Sequence, residues 1–114
     1  MAAVYVSNIV INQGASFEQT FNLTNASNTA VDLSLYDASA QLRKHSGSTT
    51  KTDFTVDDTT NPSGGQVSIK LTPTQTSDLK PGRYVYDIVI TKTSDLSKTR
   101  VVEGSALVRE GVTK

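Results

Sequence analysis

A chain of 114 residues with eleven basic and eleven acidic side chains, and so no formal net charge, is one domain's worth of sequence and can bury a core without staples. It holds no cysteine, which excludes disulfides, thiolate metal sites and a cysteine nucleophile, and its balanced charge lacks the basic excess that a nucleic-acid or anionic-membrane binder carries. No stretch approaches the roughly 20 apolar residues that span a bilayer, and the first eight residues lack the basic start and apolar run of a secretory signal. The expectation is one domain over residues 1–114 that binds neither nucleic acid nor membrane, with zero net charge leaving self-association unopposed.

Val4 to Ile11 is rich in β-branched residues with apolar side chains at odd and even positions, and reads as a first strand that wants cover on both faces. After the turn Asn12-Gln13-Gly14, Ser16 to Leu23 sets Phe17, Phe21 and Leu23 on one face and Glu18, Thr20 and Asn22 on the other. Thr24 to Thr29 is a polar loop, and Val31, Leu33, Leu35 and Tyr36 bring apolar residues back to the body. Ala38 to Lys44 alternates Ala38, Ala40 and Leu42 inward with Ser39, Gln41 and Arg43 outward. Beyond the loop His45 to Thr50, one strand from Lys51 to Val56 turns Phe54 and Val56 inward. Asp57 to Gly65 is a turn-like run whose Pro62 and paired glycines exclude it from a strand interior, and Gln66 to Leu71 alternates again.

One helical turn follows. Thr72 as N-cap, Pro73 at the first helical position and Gln75 three residues after the cap form a capping box. Leu79 anchors a corner in which Pro81 and Gly82 suit the central positions of a type II turn over Lys80 to Arg83. Tyr84, Tyr86, Ile88 and Ile90 then alternate with Val85, Asp87 and Val89, and after the reversal Thr93 to Lys98 a last strand runs from Thr99 to Arg109. A tyrosine at the start of strand F, two residues before a central core position, marks the tyrosine corner of immunoglobulin-like sandwiches, and Tyr84 before Tyr86 stands in that arrangement with Tyr in place of Cys. The expected fold is all-β, an immunoglobulin-like β-sandwich of about seven antiparallel strands with one short helical turn before strand F.

The residues spell out no reaction. His45 is the only histidine and sits in a loop beside Ser46 and Gly47, a solvated turn position rather than a catalytic one. Asp53, Asp57 and Asp58 lack the alternating acids and final Glu of a calcium loop. Asn22-Leu23-Thr24 and Asn25-Ala26-Ser27 fit the glycosylation sequon by composition alone, and Gly64-Gly65 belongs to a turn rather than to a phosphate loop. The sequence therefore assigns no catalytic residue, no metal site and no cofactor. Its one functional signal lies on the outward rows of the last two strands. Val85 and Val89 on one, Val101 and Leu107 on the next, share that face with Asp87, Glu103 and Ser105, a broken apolar stripe that suits a protein partner. Scattered surface valines are also ordinary in sheets, and the first strand, if it lies at an edge, is a second candidate for pairing with a neighbour.

The order of several short segments, I-V-I-N-Q-G-A-S-F from Ile9, A-V-D-L-S from Ala30, G-G-Q-V-S-I-K-L-T from Gly64, L-K-P-G-R-Y-V-Y-D-I from Leu79 and R-V-V-E-G-S-A-L-V from Arg100, resembles the small immunoglobulin-like virion structural proteins of tailed bacteriophages. That broad group includes domains similar to the amino-terminal part of baseplate upper proteins. Between Val31 and Ala38 the chain departs from it, with D-L-S-L-Y-D where the group often carries a D-L-T-G turn. The resemblance implies a non-enzymatic building block of a virion, assembled in the bacterial cytoplasm and docked in many copies on other phage structural proteins of the capsid, tail or baseplate. The alternative is an adhesion module for host-surface glycan, which needs exposed aromatic platforms. With no Trp, and four Tyr of which two are assigned to the core corner, this chain offers few.

Overall fold

The computed structural model describes residues 5–24, 29–45, 47–49, 51–58 and 62–112. Their strands are β1 (Tyr5–Val6), β2 (Ile9–Asn12), β3 (Phe17–Asn22), β4 (Tyr36–Arg43), β5 (Lys51–Asp53), β6 (Thr55–Asp57), β7 (Gln66–Leu71), β8 (Gly82–Lys92) and β9 (Lys98–Arg109). They form two sheets, an immunoglobulin-like β-sandwich as the alternation of the sequence predicts. The larger sheet runs β1 and β2 along β9, then β8, β4 and β5, and the smaller runs β3-β7-β6. Pairing is antiparallel except at one place, where β1 and β2 lie parallel to β9. Inward rows of both sheets make the core, with Ile11, Ile88, Ile90 and Val102 of the larger facing Val67 and Ile69 of the smaller, all fully buried.

Two expected strands are each divided, for different reasons. The first keeps a single register along β9, Tyr5 opposite Val102 and Ile9 opposite Ala106, yet the ladder is interrupted at Ser7 and Asn8. There the Asn8 side chain replaces the backbone, its Oδ1 accepting from the Ser105 N–H and hydroxyl at 3.1 Å each. The Ser7 carbonyl turns inward over Gly104, where a Cβ would stand 2.1 Å from it. Tyr86, opposite Gly104 on β8, donates its buried phenol to that carbonyl at 2.5 Å, so the dip in the edge strand satisfies a core hydroxyl. The second division is a change of sheet. β5 pairs with β4 and β6 pairs with β7, and Phe54 between them is buried while its N–H donates to the Ala40 carbonyl at 3.1 Å. Phe54 stacks edge-on to Tyr86 with centroids 6.2 Å apart and lies 6.0 Å from Phe17, an aromatic run that spans the two sheets.

The helical turn α1 (Pro73–Ser77) carries both bonds of the capping box: Thr72 Oγ1 accepts from Gln75 N–H at 3.2 Å and Gln75 Oε1 from Thr72 N–H at 2.9 Å. Thr76 is wholly buried and ties α1 to the β2–β3 turn, accepting from Gly14 N–H at 3.0 Å and donating to the Ala15 carbonyl at 2.9 Å. The corner that follows differs from a type II turn. Gly82 has φ +142°, an extended conformation on the side that L side chains avoid, and the Lys80 carbonyl accepts from the Tyr84 hydroxyl at 2.8 Å. This is the tyrosine corner, above buried Leu79 and exposed Pro81. Where the D-L-T-G turn of the resembling proteins is missing, Leu33–Leu35 makes a 3-10 turn capped by Asp32, whose carboxylate accepts from Ser34 N–H at 3.0 Å.

Replacing Tyr84 with Phe removes one hydrogen bond and lowers the unfolding free energy by about 1 kcal/mol in a urea titration; no loss of stability contradicts the corner. Gly104→Ala puts a methyl against the Ser7 carbonyl and costs about 2 kcal/mol, with faster amide exchange along β1 and β2. A variant as stable and as protected as the parent refutes the close approach.

Candidate docking face

His45 is exposed, Asp53 is held by Lys51 at 3.0 Å, and no cluster of three or more metal-ligating side chains occurs among the described residues. Asn22 lies exposed in β3, and the sequon at Asn25 falls outside the described residues.

The outer face of the larger sheet can be read from its register. On β8 it carries Arg83, Val85, Asp87, Val89 and Thr91, flanked on β4 by Arg43, Gln41, Ser39 and Asp37 and on β9 by Leu107, Ser105, Glu103, Arg100 and Lys98. β2 extends it with Val10 opposite Leu107, and β1 with Val6 opposite Glu103. Val6 is 75% exposed, Val10 49% and Val85 39%, and Leu107 is half-buried between them.

This revises the expected stripe. Val85 and Leu107 do share a patch, and Val10 joins it from the edge strand. Val101 does not: it is buried, 1% exposed, because the register shifts between Ile88 and Val89, where Ile88 pairs with Val102 but Val89 with Arg100. The bulge turns Val101 and Val102 both inward, and strict alternation fails there. Val89 is half-buried on the correct face but is cut off from Val85 by charge. Arg100 bridges Asp87 at 3.4 Å and Glu103 at 3.3 Å across the face. What remains is an apolar patch at the end of the sheet nearest α1, bordered by Arg43, Arg83 and Arg109. Arg43 reaches the Ser48 carbonyl and, at 3.0 Å, Gln41 Oε1; it engages no carboxylate, and Arg83 and Arg109 make no ion pair among the described residues. The outward parity of Arg43 was legible in the sequence, but the meeting of these arginines with Val10 depends on the parallel pairing of β2.

The opposite end holds two other exposed apolar side chains, Leu35 at 55% and Leu96 at 71%. They belong to neighbouring loops, since the Leu35 carbonyl accepts from Thr93 N–H at 3.1 Å and Thr93 Oγ1 at 3.2 Å. Leu96 closes the β8–β9 hairpin with φ +60°, the left-handed conformation that such loops usually give to Gly or Asn. Beside these leucines Asp32 and Asp95 are exposed carboxylates. The Ser34 side chain and N–H lower the carboxyl pKa of Asp32, and the Ser97 N–H lowers that of Asp95.

No protein-family model and no curated protein matches the chain. Among solved structures it is similar to InlP of Listeria monocytogenes (16% identity, TM-score 0.49, covering 90% of this chain and 26% of that one). It is also similar to the NK cell receptor NKp44 (18% identity, TM-score 0.49, 95% of this chain and 100% of that one). A third is a family 123 glycoside hydrolase from Clostridium perfringens (13% identity, TM-score 0.45, 98% and 24%). The chain thus spans about a quarter of InlP and of the hydrolase, and these loose likenesses carry no role across.

Leu96→Gly relieves the left-handed strain and stabilises the fold by on the order of 0.5–1 kcal/mol in thermal melts, the gain from φ exceeding the added chain entropy. A destabilised variant contradicts the positive φ.

Proposed function

We propose that this chain is a non-enzymatic structural protein of a bacteriophage virion, docking in many copies on the capsid or the tail and baseplate through the outer face of its larger sheet. The observation that carries the docking is the patch of Val10, Val85 and half-buried Leu107, apolar side chains from three adjacent strands that meet on one outer face. The order of motifs resembling phage immunoglobulin-like proteins supports the setting. On a repeating lattice modest contacts act together, so a patch of this size suffices without a deep pocket. Glycan adhesion is the weaker reading, because the aromatics Phe17, Phe54 and Tyr86 are all spent in the core.

Tagged protein mixed with separated phage heads and separated tails labels one of the two in electron micrographs. Val85→Lys with Leu107→Lys leaves the melting temperature within a few degrees, as surface substitutions do, and abolishes that label. Undiminished occupancy by the folded double variant rejects the face, and label on neither particle part rejects the virion role.

A further inference from the structure

Zero net charge in this chain is a cancellation between two ends. The end formed by the loops after β3 and β6 and by the β8–β9 hairpin carries Asp32, Asp37, Asp57, Asp58 and Asp95 against Lys92 and Lys98. Leu35 and Leu96 protrude among those carboxylates. The end around α1 carries Arg43, Lys44, Lys80, Arg83 and Arg109 against Asp78 and Glu110, its other charges being paired as Lys51–Asp53 and Lys70–Glu18. Val10, Val85 and Leu107 lie exposed or half-buried among those cations. One end is therefore apolar and acidic, the other apolar and basic.

We propose that the docking face receives a second copy of this chain, the Leu96 hairpin end of one molecule seated on the Val10–Leu107–Val85 patch of the next, with Asp37 and Asp95 facing Arg83 and Arg109. The inference rests on the reading of that face as a dock and names its occupant. Three features favour this arrangement. Charge complementarity joins unlike ends, whereas a face-to-face dimer about a two-fold axis sets Arg43, Arg83 and Arg109 against their own counterparts. Among the described residues the patch has no aromatic side chain on which a base could stack, so apolar side chains set between arginines suit a protein end that carries leucines and carboxylates rather than a nucleic-acid strand. Finally, Leu96 holds a strained, 71% exposed position that a glycine fills at lower cost, the form of a knob kept for contact rather than for folding. A head-to-tail contact leaves one head and one tail free after each addition, so it closes into a ring or continues as a chain.

Sedimentation velocity of the full chain tests this. In low salt the weight-average sedimentation coefficient rises with protein concentration, and it falls toward the monomer value in high salt. Arg83→Glu with Arg109→Glu weakens association on the order of tenfold or more, and Asp37→Lys with Asp95→Lys does the same. Mixing the two variants restores association as an alternating ring or chain, because the unaltered Asp37 and Asp95 of one meet the unaltered Arg83 and Arg109 of the other, and the introduced lysines meet the introduced glutamates. Leu96→Gly weakens association without lowering the melting temperature. A chain that is monomeric at every concentration overturns the proposal, as does association that responds to the arginine reversals alone, the mark of a symmetric dimer, or a mixture that fails to pair. Particle binding by a chain that stays monomeric overturns the second copy as occupant and leaves the dock standing; loss of particle binding as well removes both.

Discussion

The bond from the Tyr86 phenol to the Ser7 carbonyl, made across Gly104, is the constraint on which the rest of this molecule depends. Tyr86 stands at the centre of the larger sheet, where the inter-sheet cysteine of antibody domains would be, and a phenol there brings a polar atom into the core. Its partner comes from the edge strand, which can dip to meet it only because Gly104 has no side chain. Asn8 repairs the ladder beyond the dip through Ser105, and the Ser7 N–H holds it before the dip through the Glu103 carbonyl. Burial pushes the Tyr86 phenol up from its ordinary pKa, so it remains a protonated donor throughout the physiological range. One hydrogen bond thereby fixes where β1 and β2 run along β9, and with them the position of Val10 beside Leu107.

That edge strand also distinguishes the two outer faces. The sandwich is closed on the inside by alternation, but its outer faces are not equivalent. The smaller sheet is polar outside, with Thr20 and Ser68 bonded to each other at 2.8 Å and Lys70 paired to Glu18 at 3.6 Å, so its outward groups satisfy one another. The larger sheet keeps Val6, Val10 and Val85 in solvent, and Arg83 and Arg109 there make no ion pair among the described residues. Its midline is neutralised by Arg100, Asp87 and Glu103, and what is left unsatisfied is concentrated at the end near α1. The opposite end offers the complementary set, leucines among carboxylates. This polarity along the strands is what the proposed contact rests on.

Much of this was legible in the residues. The capping box of Thr72 and Gln75, the corner at Tyr84 and the inward rows of β4, β7 and β8 follow from local chemistry and a period of two, and the structure repeats them. Three features did not follow. The bulge opposite Val89 buries Val101, because one extra residue in β9 shifts parity and nothing in R-V-V-E announces it. The run from Lys51 to Val56 reads as one strand but serves two sheets, since alternation does not reveal with which neighbour a strand pairs. The corner at Gly82 carried the signals of a type II turn, yet the Lys80 carbonyl that such a turn would use accepts from the Tyr84 hydroxyl instead. Of the four side chains expected outward, Val85, Val89 and Leu107 lie on the outer face and Val101 does not, and the expectation lacked Val10, which only the parallel pairing of β2 brings beside Leu107.

The central claim is that the outer face of the larger sheet is where this chain meets its neighbours. Hydrogen–deuterium exchange of the chain, alone and mixed with separated phage heads or tails, tests it most directly. The account predicts added protection and slower exchange in residues 5–12, 83–89 and 103–109, with residues 17–22 and 66–71 unchanged. Protection confined to those last two segments, on the smaller sheet, contradicts it.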